Sequence, residues 1–160
     1  MLHGIHMPQL LQPCSITDIH EFLSQNHKGG VPSRATDCFL IEDNGIKAAM
    51  ACGPGLANND LCEFIACAIA PNYPFAQSRL ISLTVRQLRA RKKYEVAFSW
   101  VNPDWGCGVS YKGASWYYSG RGSRTGDNKF SQNATGCHLY WWPLRHNAIN
   151  KWDFLKLPYP

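Results

Sequence analysis

The sequence predicts a single α/β domain, a mixed, twisted sheet with helices on both faces. Three observations predict it. Apolar runs of strand length are interleaved with two stretches of helical periodicity, the pattern of a sheet covered by helices. Asn44-Gly45 separates two of these runs and marks an antiparallel hairpin, because both residues tolerate positive φ. Cys62-Glu-Phe-Ile-Ala-Cys-Ala-Ile69 is near-continuously apolar, as a strand buried on both faces has to be. The whole chain, 160 residues, is expected to form this one domain.

The elements follow in order. Ser15 can cap a first helix, with Asp18 three residues on, and Ile16, Ile19 and Phe22 or Leu23 form its apolar stripe. His27-Lys-Gly-Gly-Val-Pro-Ser33 ends it. The hairpin strands are 37–42 and 46–52, and Gly53-Pro-Gly55 should stop the second. After the strand at 62–69, Pro71-Asn-Tyr-Pro-Phe75 leads into a helix over 76–92. Its inner face is Ile81, Thr84, Val85 and Leu88, with Arg79, Arg86, Arg89 and Lys93 on the opposite side. A strand over 94–100 runs into a turn rich in Asn, Pro, Asp and Gly. A short segment then presents Tyr111, Trp116 to Tyr118 reads as a strand, and a polar loop after Arg121 precedes a last strand at 137–142.

Composition narrows the function. No apolar run approaches the ~20 residues of a membrane span. Met1-Leu-His-Gly-Ile-His6 is not a secretory start, so a cytoplasmic protein is expected. The seven cysteines form no Cys-x-x-Cys pair, and Cys38, Cys52 and Cys67 lie in apolar runs where a thiol behaves as a small hydrophobe. Cys107, Cys137 and His138 could meet in space but lack the close ligand pairs of a zinc site, so no metal ligands are assigned and a metal requirement stays open. The net charge of +5 suits a polyanionic partner or a phosphorylated cofactor without requiring either.

Chemistry concentrates in the loop from Ser99 to Arg121, since loops held by a rigid sheet carry function more often than cores do. Tyr111-x-x-x-Ser115-Trp116 resembles the Tyr-x-x-x-Gly-Phe ending of GNAT acyltransferases. A denser resemblance is to the phage Mom-type DNA-modification proteins, a GNAT-like family. It is carried by Ser99-Trp-Val-Asn102, Gly106-Cys107, and Tyr111-x-x-Ala114-x-Trp116-x-Tyr118-x-Gly120. Upstream, Asn72, Ser78, Leu80 and Ile81 match the same family in order. The resemblance covers roughly residues 42–120.

The resemblance implies a GNAT-like fold and an acyl-CoA cofactor, acetyl-CoA or a relative, held at the start of the second helix by Asn72, Gln77, Ser78 and Arg79. It implies that Tyr111 donates a proton to the leaving thiolate and that Ser78 polarises or positions. The family's carboxylate position holds Asn102, so either Asp104 takes that role or the carboxylate has been lost. It implies a reaction that alters the N6 amine of adenine in double-stranded DNA, giving a methylcarbamoyl-type product that resists restriction. Arg34, Lys112, Arg121, Arg124 and Lys129 would then contact phosphates, and Trp105 would stack an extruded base. Two alternatives stay open. One is a GNAT N-acyltransferase acting on a protein or small-molecule amine; the other is a catalytically inactive GNAT-like module that binds nucleic acid.

Overall fold

The computed structural model describes residues 10–55, 58–104, 108–121, 136–146, 148 and 155–160. Its elements are β1 (Gln12–Cys14), α1 (Ile16–Asn26), β2 (Asp37–Glu42), β3 (Ile46–Pro54), β4 (Leu61–Ile69), α2 (Gln77–Arg91), β5 (Val96–Val101), α3 (Val109–Gly113), β6 (Tyr117–Arg121) and β7 (His138–Pro143). The seven strands form one mixed sheet in the order β1-β2-β3-β4-β5-β7-β6.

Local sequence accounts for most of the boundaries. Ser15 and Asp18 form a reciprocal capping box at the start of α1. Asn44 and Gly45 both have positive φ in the β2–β3 turn. The second hairpin strand runs through Gly53 and Pro54, past the expected stop. Gly53 is required there because a Cβ would lie 2.6 Å from the Arg34 carbonyl oxygen. β1 has no counterpart in the sequence analysis. It is three residues long, contains Pro13, and pairs with β2 at the edge of the sheet, where a missing N–H is tolerated.

The two helices cover opposite faces. Ile19 and Leu23 of α1 pack on Ala49, Ala51, Ala66 and Ala68, small side chains that let the helix lie close to the sheet. Leu80, Ile81, Val85 and Leu88 of α2 pack on Phe39, Met50, Cys62 and Phe64 of the other face. Each of these buried α2 aliphatic side chains contributes about 2 kcal/mol of hydrophobic stabilisation. That packing fixes where the N-terminus of α2 points. No helix among the described residues is long and apolar enough to cross a membrane.

Candidate active site

The sheet opens at its centre. β4 and β5 are parallel neighbours, but they pair only at Leu61↔Val96, Cys62↔Ala97 and Glu63↔Phe98. Beyond Glu63 the two strands part, although β4 continues to Ile69 and β5 to Val101. A bulge accompanies the separation. Ala51 faces Ala66 and Cys52 faces Phe64, so Ile65 is an extra residue in β4. One extra residue bends a strand and reverses its alternation. Phe64 and Cys67 accordingly share the α2 side, while Ala66 and Ala68 lie on the α1 side. The Ser99 hydroxyl donates to the Phe64 carbonyl at 3.1 Å, at the point of divergence.

Tyr111 enters this opening from α3. Gly108 begins that turn at φ +79, and a Cβ there would lie 2.4 Å from the Tyr140 ring. Ser115, also at positive φ, ends the turn. The Tyr111 ring stacks on Tyr140 (5.7 Å between centroids) and tilts against Trp116 (4.7 Å), which in turn meets the edge of Phe64 (5.0 Å). Tyr111, expected in an open loop, is therefore a buried side chain on a single helical turn. Burial raises the pKa of its phenol well above the usual tyrosine value. The neighbouring Cys67, Cys52 and Glu63 add to the rise, and a hydrogen bond with Ser99 opposes it. The phenol therefore stays protonated and can donate. Burial also pushes the Cys67 thiol up to about 12, so it lines the opening as an apolar group and not as a nucleophile.

The start of α2 borders the same region, because the helix follows the free end of β4 after a short turn. Asn72 takes a left-handed conformation in that turn. No side chain caps the helix and its first turn holds no acidic residue, so its leading amides face outward without a competing anion. Gln77 accepts a hydrogen bond from the Ser110 hydroxyl at 2.7 Å. Ser78 is packed so closely on α3 that a Cβ at Gly113 would lie 3.0 Å from its own Cβ. Arg79 lies over the Phe75 ring at 5.0 Å. The structure thus brings Ser78, Gln77 and the Tyr111 turn together.

The other expected residues lie elsewhere. Asn102 Oδ1 accepts from the Asp104 amide at 2.9 Å, an ordinary turn closure that leaves Asp104 exposed. Arg34 is ion-paired with Glu63 and also donates to the Pro54 carbonyl at 3.2 Å. Lys112 donates to the Pro160 carbonyl oxygen at 3.3 Å, and Arg121 lies opposite His138 across β6 and β7. Trp105, Cys107, Arg124 and Lys129 lie outside the described residues.

Glu63, not among the residues expected at the site, is one of two buried carboxylates among the described residues. It sits at the last β4–β5 pair, where the opening begins, and its charge reaches the Tyr111 phenol. An acid inside an otherwise apolar central strand is a readable signal, since burying a charge is costly unless something pairs it, as Arg34 does here, or uses it. His138, weighed in the sequence only as a metal ligand, is buried on β7 and shares a 2.7 Å hydrogen bond with the Tyr118 hydroxyl.

No protein-family model matches the chain, and no curated protein matches it by sequence. Solved structures do match it. An N-acetyltransferase from Staphylococcus aureus Mu50 aligns with TM-score 0.57 at 14% identity, over 86% of this chain and 99% of that one. The Escherichia coli GNAT-family N-acetyltransferase YhbS, solved in complex with CoA, aligns with TM-score 0.59 at 11% identity, over 92% and 89%. A Drosophila melanogaster polyamine N-acetyltransferase aligns with TM-score 0.60 at 10% identity, over 85% and 100%. The single α/β domain with its parted central strands has the fold of the GNAT N-acetyltransferases.

Proposed function

We propose that this protein transfers an acyl group from acyl-CoA to an amine. The single observation that carries the reading is the divergence of β4 and β5 beyond Glu63, with a protonated, buried phenol inserted beside it. The three solved structures compared above are N-acetyltransferases, one of them in complex with CoA. The residues at the start of α2 fit such a ligand, because uncapped amides without a nearby carboxylate suit a pyrophosphate.

Acyl-CoA would supply the activated acyl thioester and a thiolate leaving group. Asn72, Gln77, Ser78 and Arg79 would hold its phosphates. Glu63 accepts the proton that the attacking amine sheds, directly or through one water. Tyr111 gives its phenolic proton to the departing sulfur, and Ser99 orients the phenol from the other side. Amine attack forms the amide bond, the thioester bond breaks, and one proton enters at Glu63 while another leaves Tyr111.

Thermal unfolding tests the reading. Acetyl-CoA at about a hundred times its dissociation constant should stabilise the fold by about 2.7 kcal/mol, a rise of roughly 5–10 °C in Tm. No rise with any acyl-CoA would overturn it. Glu63→Gln should then lower turnover of a responsive amine by about 10²-fold or more without removing the acetyl-CoA shift.

A narrower reading takes the amine to be N6 of adenine in DNA. The ordered match from Ser99 to Gly120 favours it. Mass spectrometry of nucleosides from cells expressing the protein tests it: a modified adenosine lost with Tyr111→Phe supports it, and unmodified DNA removes it.

A further inference from the structure

The charge of this protein is unevenly distributed. Between Gln77 and Lys93 lie Arg79, Arg86, Arg89, Arg91, Lys92 and Lys93, six cations and no acid, while the net charge of the whole chain is +5. The remainder of the sequence, with ten cations and eleven acids, nets −1, so the entire positive excess sits on α2 and its C-terminal cap.

Helical geometry places three of the six, Arg79, Arg86 and Arg89, on one face. Arg79, Ser82, Arg86, Arg89 and Ala90 fall within about a third of the helix circumference, and all are exposed. The opposite face, Leu80, Ile81, Thr84, Val85 and Leu88, is buried. Arg91 and Lys93 are both ion-paired with Asp37. Arg86 and Lys92 have no side-chain partner among the described residues, and Arg89 donates only to the neutral Pro143 carbonyl at 2.8 Å. Arg145 donates to the Lys92 carbonyl and adds a further exposed cation at the helix end. Fifteen residues of helix extend about 22 Å. Confining like charges to such a strip is unfavourable unless an anion faces them.

We propose that the outer face of α2 is a docking strip for the phosphodiester backbone of a nucleic acid. The strip is rich in arginine, whose planar guanidinium matches a phosphate with two parallel donors. Its exposed face carries no large apolar side chain; those exposed among the described residues are Leu10, Val109, Leu155, Leu157 and Tyr159. An anionic bilayer would call for apolar side chains to insert, and an acidic protein surface for aromatic or aliphatic anchors. A regular polyanion needs neither. The strip begins beside the opening in the sheet, so a bound strand would run from the edge of the site along the helix. This goes beyond acyl transfer and does not depend on it.

Fluorescence anisotropy with a labelled DNA duplex of about 20 base pairs, and with a single-stranded RNA of similar length, tests the proposal. Affinity should fall with salt, with a log–log slope of roughly −4 to −5 for the five exposed cations Arg79, Arg86, Arg89, Lys92 and Arg145. R86Q/R89Q, which keeps good helix formers, should weaken binding and flatten the slope by about two. The variant should keep its Tm shift with acetyl-CoA, which separates this proposal from the acyl-transfer reading. K28Q/K47Q removes the same charge elsewhere and should leave the slope unchanged. Absence of binding to both nucleic acids at low salt overturns the proposal. So does an equal loss in both variants, or equal binding of polyglutamate or of phosphatidylserine vesicles.

Discussion

At the scale of single residues the site depends on one glycine and one hydroxyl. Gly108 holds φ +79, and a methyl group there would meet three atoms of the Tyr140 ring at 2.4 to 2.6 Å. Gly108→Ala therefore carries a left-handed penalty of about 1–2 kcal/mol and an overpacking penalty of about 1–3 kcal/mol. We expect urea unfolding to report a loss of about 2–5 kcal/mol. Tyr111 separates structure from chemistry in the opposite way. A phenylalanine keeps the stack on Tyr140 and the contact with Trp116. Tyr111→Phe should cost about 1 kcal/mol of stability or less, leave the acetyl-CoA shift intact, and lower turnover by about 10²–10⁴-fold. The direction of the phenol's shift also fixes a pH dependence. Burial, helped by Cys67, holds it above the ordinary tyrosine value, so the donor stays loaded as pH rises. The rate should show no loss from tyrosine ionisation up to about pH 10, measured as kcat against pH. A fall near pH 9 that Tyr111→Phe abolishes would contradict the assignment.

At the scale of elements, what could be read in the sequence follows from how much local sequence each element needs. α1 was legible because Ser15 and Asp18 announce a cap, and the β2–β3 hairpin because Asn44-Gly45 permits the turn and nothing bulkier does. α2 was legible to within one residue at each end, since its buried face repeats at helical spacing. β1 and α3 are three and five residues long, too short for any period to show. The parting of β4 and β5 belongs to the GNAT-like fold that the resemblance implies, but the bulge at Ile65 that bends β4 was hidden. In a run apolar on both faces, one inserted residue leaves no change of pattern. The proposed base, Glu63, is the one acid of an otherwise apolar strand, whereas Asn102 and Asp104 lie in an exposed turn. Ser99 is the link across the divergence and gives this scale its prediction. Ser99→Ala removes the hydrogen bond to the Phe64 carbonyl and the partner of the phenol. We expect a loss of about 1 kcal/mol and faster amide exchange in β4 beyond Phe64, with α1 amides unaffected. Uniform acceleration across the molecule would mean that Ser99 has no local role at the opening.

At the scale of the whole molecule, Asp37 joins parts far apart in the chain. Its carboxylate accepts from the Thr36 hydroxyl at 2.9 Å, Arg91 at 3.1 Å, Lys93 at 3.2 Å and the Tyr94 hydroxyl at 2.5 Å. The first strand of the hairpin is thereby tied to the end of α2 and to the segment that starts β5, which secures the side of the sheet where β4 and β5 remain paired. Burial alone would raise the pKa of Asp37, but hydrogen bonds from Tyr94, Thr36 and Lys93 outweigh it and hold the group below the usual aspartate value. A carboxyl group depressed in the folded state stabilises fully above its unfolded value of about 3.9, and that contribution disappears as pH falls through the folded value. The protein should therefore lose stability below about pH 4, with Asp37 supplying part of the loss. Asp37→Asn leaves Arg91, Lys93 and Tyr94 facing a neutral amide and should cost about 3 kcal/mol at neutral pH. Because the amide does not titrate, urea unfolding at pH 7 and pH 3 should show a smaller difference in the variant than in the wild type. An equal difference in both would assign the acid sensitivity to other carboxylates and leave Asp37 a structural contact without a share in the pH dependence.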